Sequence, residues 1–178
     1  RGAGRGGPGD AGPEVARRAT LVAVLLVAHR QVVQRHGERR QGAVVEGGAE
    51  TAEALLRESI ALGPDRPAHV LPNLGLALLG SGRPEEARAA FGESLAEGAS
   101  AETPEVVLYA LEGLASVAAS VAEDENAARL WGASEAVRES IGVILATAEF
   151  ALHERLVPQS RARLGTDRFA AAWAEGKA

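Results

Sequence analysis

The sequence predicts an all-α fold of stacked antiparallel helix pairs, and three observations predict it. From about residue 49 onward apolar residues recur at helical spacing, bounded by Gly and Pro. Alanine and leucine carry most of the apolar content, while aromatics make up only 3% of the 178 residues. Small side chains of this kind let helices approach closely. Finally, one spaced pattern occurs twice. Leu71-x-x-Leu74-Gly75-x-x-Leu78, then Gly82, then Ala87-x-x-x-Phe91 is matched by Leu111-x-x-Leu114-Ala115-x-x-Ala118, then Ala127-x-x-x-Trp131. Runs of β-branched residues are few and do not alternate, so strands are not expected.

Residues 1–13 are rich in Gly and Pro and are expected to form a disordered lead or linker, because they offer little apolar surface to offset the entropy of ordering. Gly2-x-Gly4-x-x-Gly7 has the spacing of a dinucleotide fingerprint but no strand before it and no helix after it, so no phosphate site is expected. Residues 14–48 form a diverged helical segment. Its apolar stretch from Ala19 to Ala28 is too short to cross a bilayer, which needs ~20 residues. Arg17 and Arg18 precede it as in a secretory signal, but no small-x-small cleavage site follows, and a buried helix is the expected reading. Arg30, Arg35, His36, Arg39 and Arg40 then make a basic stretch without interleaved aromatics, which reads as a solvated face or a patch for an acidic partner. Arg39 and Arg40 stand where the repeated pattern calls for Leu and Gly. The segment is either a diverged repeat helix or a stretch read out of frame.

Residues 49–142 carry the repeats. A helix from Ala49 to Leu62 is expected to stop at Gly63-Pro64-Asp65, and His69 to Leu79 forms the next. Pro72 fits only in the first turn of that helix. Gly80-Ser81-Gly82 makes a turn, and Pro84 opens a helix with Glu85 and Glu86 at its positive end. Gly98 to Pro104 is expected to be a loop, with Thr103 as N-cap. Helices follow at Pro104–Ser120 and Glu123–Ser140. Residues 143–178 are expected to cap the stack with a helix from Ala146 to Leu164, interrupted at most by Pro158, and a short helix capped by Thr166.

The repeated spacing is that of tetratricopeptide-type units, so the full expectation is a tetratricopeptide-like α-solenoid with C-terminal capping helices. Leu74, Gly75, Leu78, Gly82, Ala87 and Phe91 are the structural positions of one unit, and Leu114, Ala115, Ala127 and Trp131 those of the next. Gly75 and Ala115 should face Ala87 and Ala127 within a hairpin. Phe91 and Trp131 should fill the groove between hairpins. Glu58-Ser59-Ile60-Ala61 recurs as Glu93-Ser94-Leu95-Ala96, 35 residues on, whereas Phe91-Gly92 recurs as Trp131-Gly132, 40 residues on. A longer loop at Gly98–Pro104 would absorb that difference.

Composition excludes several kinds of chemistry. There is no cysteine, so disulfides, thiolate metal sites and cysteine nucleophiles are absent. His29, His36, His69 and His153 are scattered, and none pairs with another at metal-ligand spacing. Glu85-Glu86 and Glu123-Asp124-Glu125 open helices, where acids favour the dipole. The net charge of −5 makes direct nucleic-acid contact unexpected. Neither catalysis, a cofactor, a metal nor membrane association is expected.

Three stretches resemble the C-terminal repeat region of large bacterial regulators that combine a signal-transduction NTPase with helical repeats. They are Ala110-Leu-Glu-Gly-Leu-Ala-Ser-Val-Ala, Ala127-Ala-Arg-Leu-Trp-Gly-Ala-Ser-Glu-Ala-Val-Arg-Glu-Ser-Ile-Gly142, and Phe169-Ala-Ala-Ala-Trp-Ala-Glu-Gly176. Many such proteins carry a LuxR-type or winged helix-turn-helix, and some an adenylate cyclase domain. The resemblance spans about Ala49–Ala178 and implies a cytoplasmic sensor or autoinhibitory arm that responds to a ligand or partner, whether a protein, a peptide segment, an effector or a neighbouring domain. These residues hold no P-loop, Walker acid or DNA-reading helix, so those activities do not carry over. The repeat's groove positions fall on His69, Asn73, Leu76, Tyr109, Glu112 and Ser116, which become the candidate partner contacts.

Overall fold

A computed structural model describes residues 53–61, 70–143 and 147–178, and among these the chain is all-helical. Its seven helices are α1 (53–61), α2 (Val70–Gly80), α3 (Pro84–Ser100), α4 (Pro104–Ser120), α5 (Asp124–Ile141), α6 (Thr147–Leu164) and α7 (Thr166–Lys177). The expectations for residues 1–52, and for the turn at Gly63-Pro64-Asp65, lie outside the described residues.

One local device builds the centre of the molecule three times. Helices α2 to α5 are joined by three-residue turns whose middle residue is left-handed: Gly82 at φ 75°, Glu102 at 52° and Ala122 at 62°. In each turn the third residue's N–H bonds back to a carbonyl five residues earlier. Arg83 donates to Leu78 at 3.0 Å, Thr103 to Gly98 at 2.9 Å and Glu123 to Ala118 at 2.9 Å. The left-handed residue donates to Leu79, Ala99 and Ala119 respectively. This is the Schellman arrangement, which satisfies carbonyls that a helix end leaves open. Pro84, Pro104 and Asp124 then start the next helix, so helix starts fall 20 residues apart. Pairs therefore recur every 40 residues, longer than the tetratricopeptide period of about 34.

That step corrects the loop expected at Gly98–Pro104. Residues 98–100 belong to α3, and the turn is only Ala101-Glu102-Thr103. Gly98 is there for contact with α4: a Cβ on it would lie 3.0 Å from Val106 Cγ1. The extra residues of the 40-residue spacing lengthen helices, not a loop. Two caps also differ. Thr103 holds the N-cap position of α4 without a capping side-chain bond. At α7 the N-cap is Gly165, at φ 90°, and Thr166 is already inside the helix. Pro158 lies within α6, which runs on through it.

Glu102 and Ala122 adopt a conformation that glycine reaches without cost and other residues reach at roughly 1 kcal/mol or more. Ala122→Gly is therefore expected to stabilise the fold by about 0.5–1 kcal/mol despite glycine's greater freedom when unfolded. Chemical denaturation reads the change as a higher midpoint at constant slope.

Packing follows chain order until the last pair. α2 and α3 pack together, as do α4 and α5, and α4 also touches both α2 and α3. Phe91 is buried between pairs, its ring against Gly75 of α2 and Gly113 of α4; added Cβ atoms there would come within 2.6 and 2.2 Å of it. Leu74, Leu78, Ala87, Ala115 and Ala127 join the same core, Leu114 packs on it partly buried, and Gly82 sits exposed in its turn. α7 behaves differently. It packs mainly on α5, and only lightly on its own partner α6. The two backbones meet at Gly132 and Gly176: a Cβ on Gly132 would lie 2.1 Å from the carbonyl oxygen of Trp173, and one on Gly176 would lie 1.9 Å from that of Arg129. Trp131 is fully buried beside this crossing, with Phe169 and Trp173 rings centred 6.3 Å from its own.

Candidate functional site

The six candidate contacts do not lie on one open surface. Asn73 and Leu76 belong to α2, which is buried on all sides from Val70 to Leu78. Glu112 and Ser116 on α4 are each 2% exposed. Tyr109, one turn earlier on α4, is half-buried. His69 lies outside the described residues.

Glu112 is held from two further helices. The Ser134 hydroxyl of α5 donates to one of its carboxylate oxygens, and Nδ1 of His153 on α6 stands 3.2 Å from the other. The His153 ring lies edge-on to Trp131 and Trp173, with centroids 5.8 and 6.1 Å away. Serine, histidine and a carboxylate occur together here, but not as an activated nucleophile. The hydroxyl bonds to the carboxylate and not to the imidazole, and Ser134 is 1% exposed. The arrangement ties α4, α5 and α6 together.

A second carboxylate does the same toward the C-terminal end of α6. Asp124, at the start of α5 and 8% exposed, accepts from Nε and Nη2 of Arg163 at 2.9 and 2.6 Å, and from the Ser160 hydroxyl at 2.6 Å. Arg163 also donates to the carbonyl of Ala119, which closes the α4–α5 turn against α6. The two-pronged hydrogen bonding from Arg163 holds the Asp124 carboxyl below its ordinary value; burial opposes this, and Ser160 adds to it. Glu135 likewise titrates low because Trp173 Nε1 donates to it at 2.6 Å, with Lys177 nearby. At the other end, Arg83 bridges Glu53 of α1 and Glu86 of α3. Burial raises Glu53, but its bonds to Arg57 and Arg83 outweigh this and leave it low.

Sequence reasoning missed these pairs because their members stand 39 and 41 residues apart. The one available signal was an acid in each receiving helix and a basic residue on one face of α6. Among the described residues no group of acids and histidines could hold a metal, and no helix is long and apolar enough to cross a membrane. Comparison with protein-family models, curated proteins and solved structures gave no match.

Proposed function

We propose that this chain is a protein- or effector-recognition module of the tetratricopeptide-like kind, the regulatory C-terminal arm of a bacterial transcriptional regulator. The observation that carries the reading is the turn built three times on a 20-residue step, which stacks antiparallel helices into an array. Such arrays present extended surfaces, and their chemistry is recognition. On this reading the receiving face lies on α4 around Tyr109, because α2 is buried from Val70 to Leu78. Tyr109 is the most accessible of the described candidate contacts, and Glu112 fixes the orientation of α4 beneath it through Ser134 and His153.

The burial of Asn73, Leu76, Glu112 and Ser116 favours a second reading, in which the arm packs on an NTPase or cyclase core and transmits its state without an external ligand. One experiment separates the two. A photo-crosslinking phenylalanine analogue replaces Tyr109 in the parent protein within its host, with Ala89 on the exposed side of α3 as control. The recognition reading expects an adduct to a separate protein at position 109 only. Adducts confined to the parent chain support the structural arm, and equal yields at both positions count against either.

A further inference from the structure

The last helix pair keeps a cleft where the earlier pairs are filled. α4 packs on both members of the pair α2–α3, and α6 packs on both members of the pair α4–α5. Helix α6 makes that inward contact through Leu152, His153, Leu156, Ser160 and Arg163, which share one face at 100° per residue. On the opposite face, Val157, Pro158, Arg161 and Ala162 line a cleft of about 360 Å³ that Thr166 of α7 closes. It stays open because α7 leans away onto α5 through Gly132 and Gly176.

The charge at this cleft is reversed relative to the filled one. There the receiving pair offers carboxylates, Glu112 and Asp124, to basic groups on the incoming helix. Here the receiving pair offers Arg161, whose guanidinium is held 5.0 Å over the Phe169 ring. The walls beside it, Val157, Pro158 and Ala162, are apolar. Among the described residues Val121 is the one large apolar side chain exposed, so their own surface offers no apolar stripe to fill the cleft.

We propose that this cleft docks an amphipathic helix of a partner protein, with apolar side chains at i and i+4 against Val157, Pro158 and Ala162 and an Asp or Glu carboxylate on Arg161. The proposal rests on the reading above that the chain is a recognition module, and adds to it a second surface with its own partner chemistry. The cleft admits side chains, so the partner's backbone lies across it as α6 lies across α4 and α5.

The test is selection from a phage-displayed library of 18-residue helices, with acidic, basic and apolar residues randomised on one face, against the full chain. Enriched peptides are expected to carry an apolar pair at i, i+4 and an adjacent acid. Arg161→Glu and Ala162→Arg should each weaken their binding by about tenfold or more, while Ala89→Arg on the exposed side of α3 should not. Residues 161 and 162 are exposed, and thermal unfolding verifies that both variants fold. Failure of any helix to enrich, enrichment of basic helices, or affinities that neither variant moves would overturn the proposal. So would concentration-dependent self-association abolished by Ala162→Arg. Because the crosslink at position 109 probes a different face, either result can fail without the other.

Discussion

Gly132→Ala is expected to destabilise the protein by about 3 kcal/mol, against the sign that helix propensity alone dictates. Gly132 lies inside α5, where alanine normally gains roughly 1 kcal/mol over glycine. Its added methyl would stand 2.1 Å from a backbone oxygen of α7, and no side-chain rotation relieves that contact. The helices must separate, and the packing of Trp131, Phe169 and Trp173 must open with them. Gly176→Ala meets the same obstacle from the other helix. The two substitutions damage one crossing, so their double mutant should cost less than the sum. Gly92→Ala is the control: it is exposed on α3 with nothing within 4 Å of the new methyl, and it should stabilise by about 1 kcal/mol. Denaturation midpoints at constant slope report all four. A Gly132→Ala protein that gains stability like Gly92→Ala would show that α5 and α7 do not meet there.

Asp124→Ala should cost about 2–3 kcal/mol, because it leaves Arg163, Ser160 and the Ala119 carbonyl without the group that organises them. The estimate sits below the range for fully buried pairs because the Arg163 side chain is 40% exposed and solvent screens its charge. The same contact gives a pH dependence with a definite sign. A carboxyl held below its ordinary value when folded binds a proton more readily when unfolded. Its stabilisation is complete above the unfolded value, near 4, and is lost as pH falls through the lower folded value. The wild type should therefore lose stability more steeply than Asp124→Asn on acidification from about pH 5 downward. Parallel curves for the two proteins would mean that the pair contributes nothing to folding.

The fold class was legible in the sequence because helical periodicity and Pro–Gly punctuation are local. Pro84, Pro104 and the acids behind them marked helix starts correctly for that reason. Gly98 was misread by the same logic. A glycine near a proline signals a break, yet this one is small so that Val106 can approach, and only the tertiary neighbour reveals it. The left-handed Glu102 and Ala122 were hidden likewise, since neither residue type announces a positive φ. The α5–α7 crossing depends on Gly132 and Gly176, which are 44 residues apart, and no periodicity links them. At the candidate site, the repeat positions fell on α2 and α4, but Asn73, Leu76, Glu112 and Ser116 there are buried. The repeat could not show that Glu112 is already engaged by Ser134 and His153, because those partners arrive from helices further along the chain.

The most direct test of the regulatory reading is the DNA sequence on both sides of this coding region, translated in all frames. The reading predicts one continuous upstream frame encoding a P-loop NTPase and a helix-turn-helix in the same polypeptide. A start codon immediately before Arg1 together with a stop immediately after Ala178 would contradict it and leave a free-standing helical adaptor.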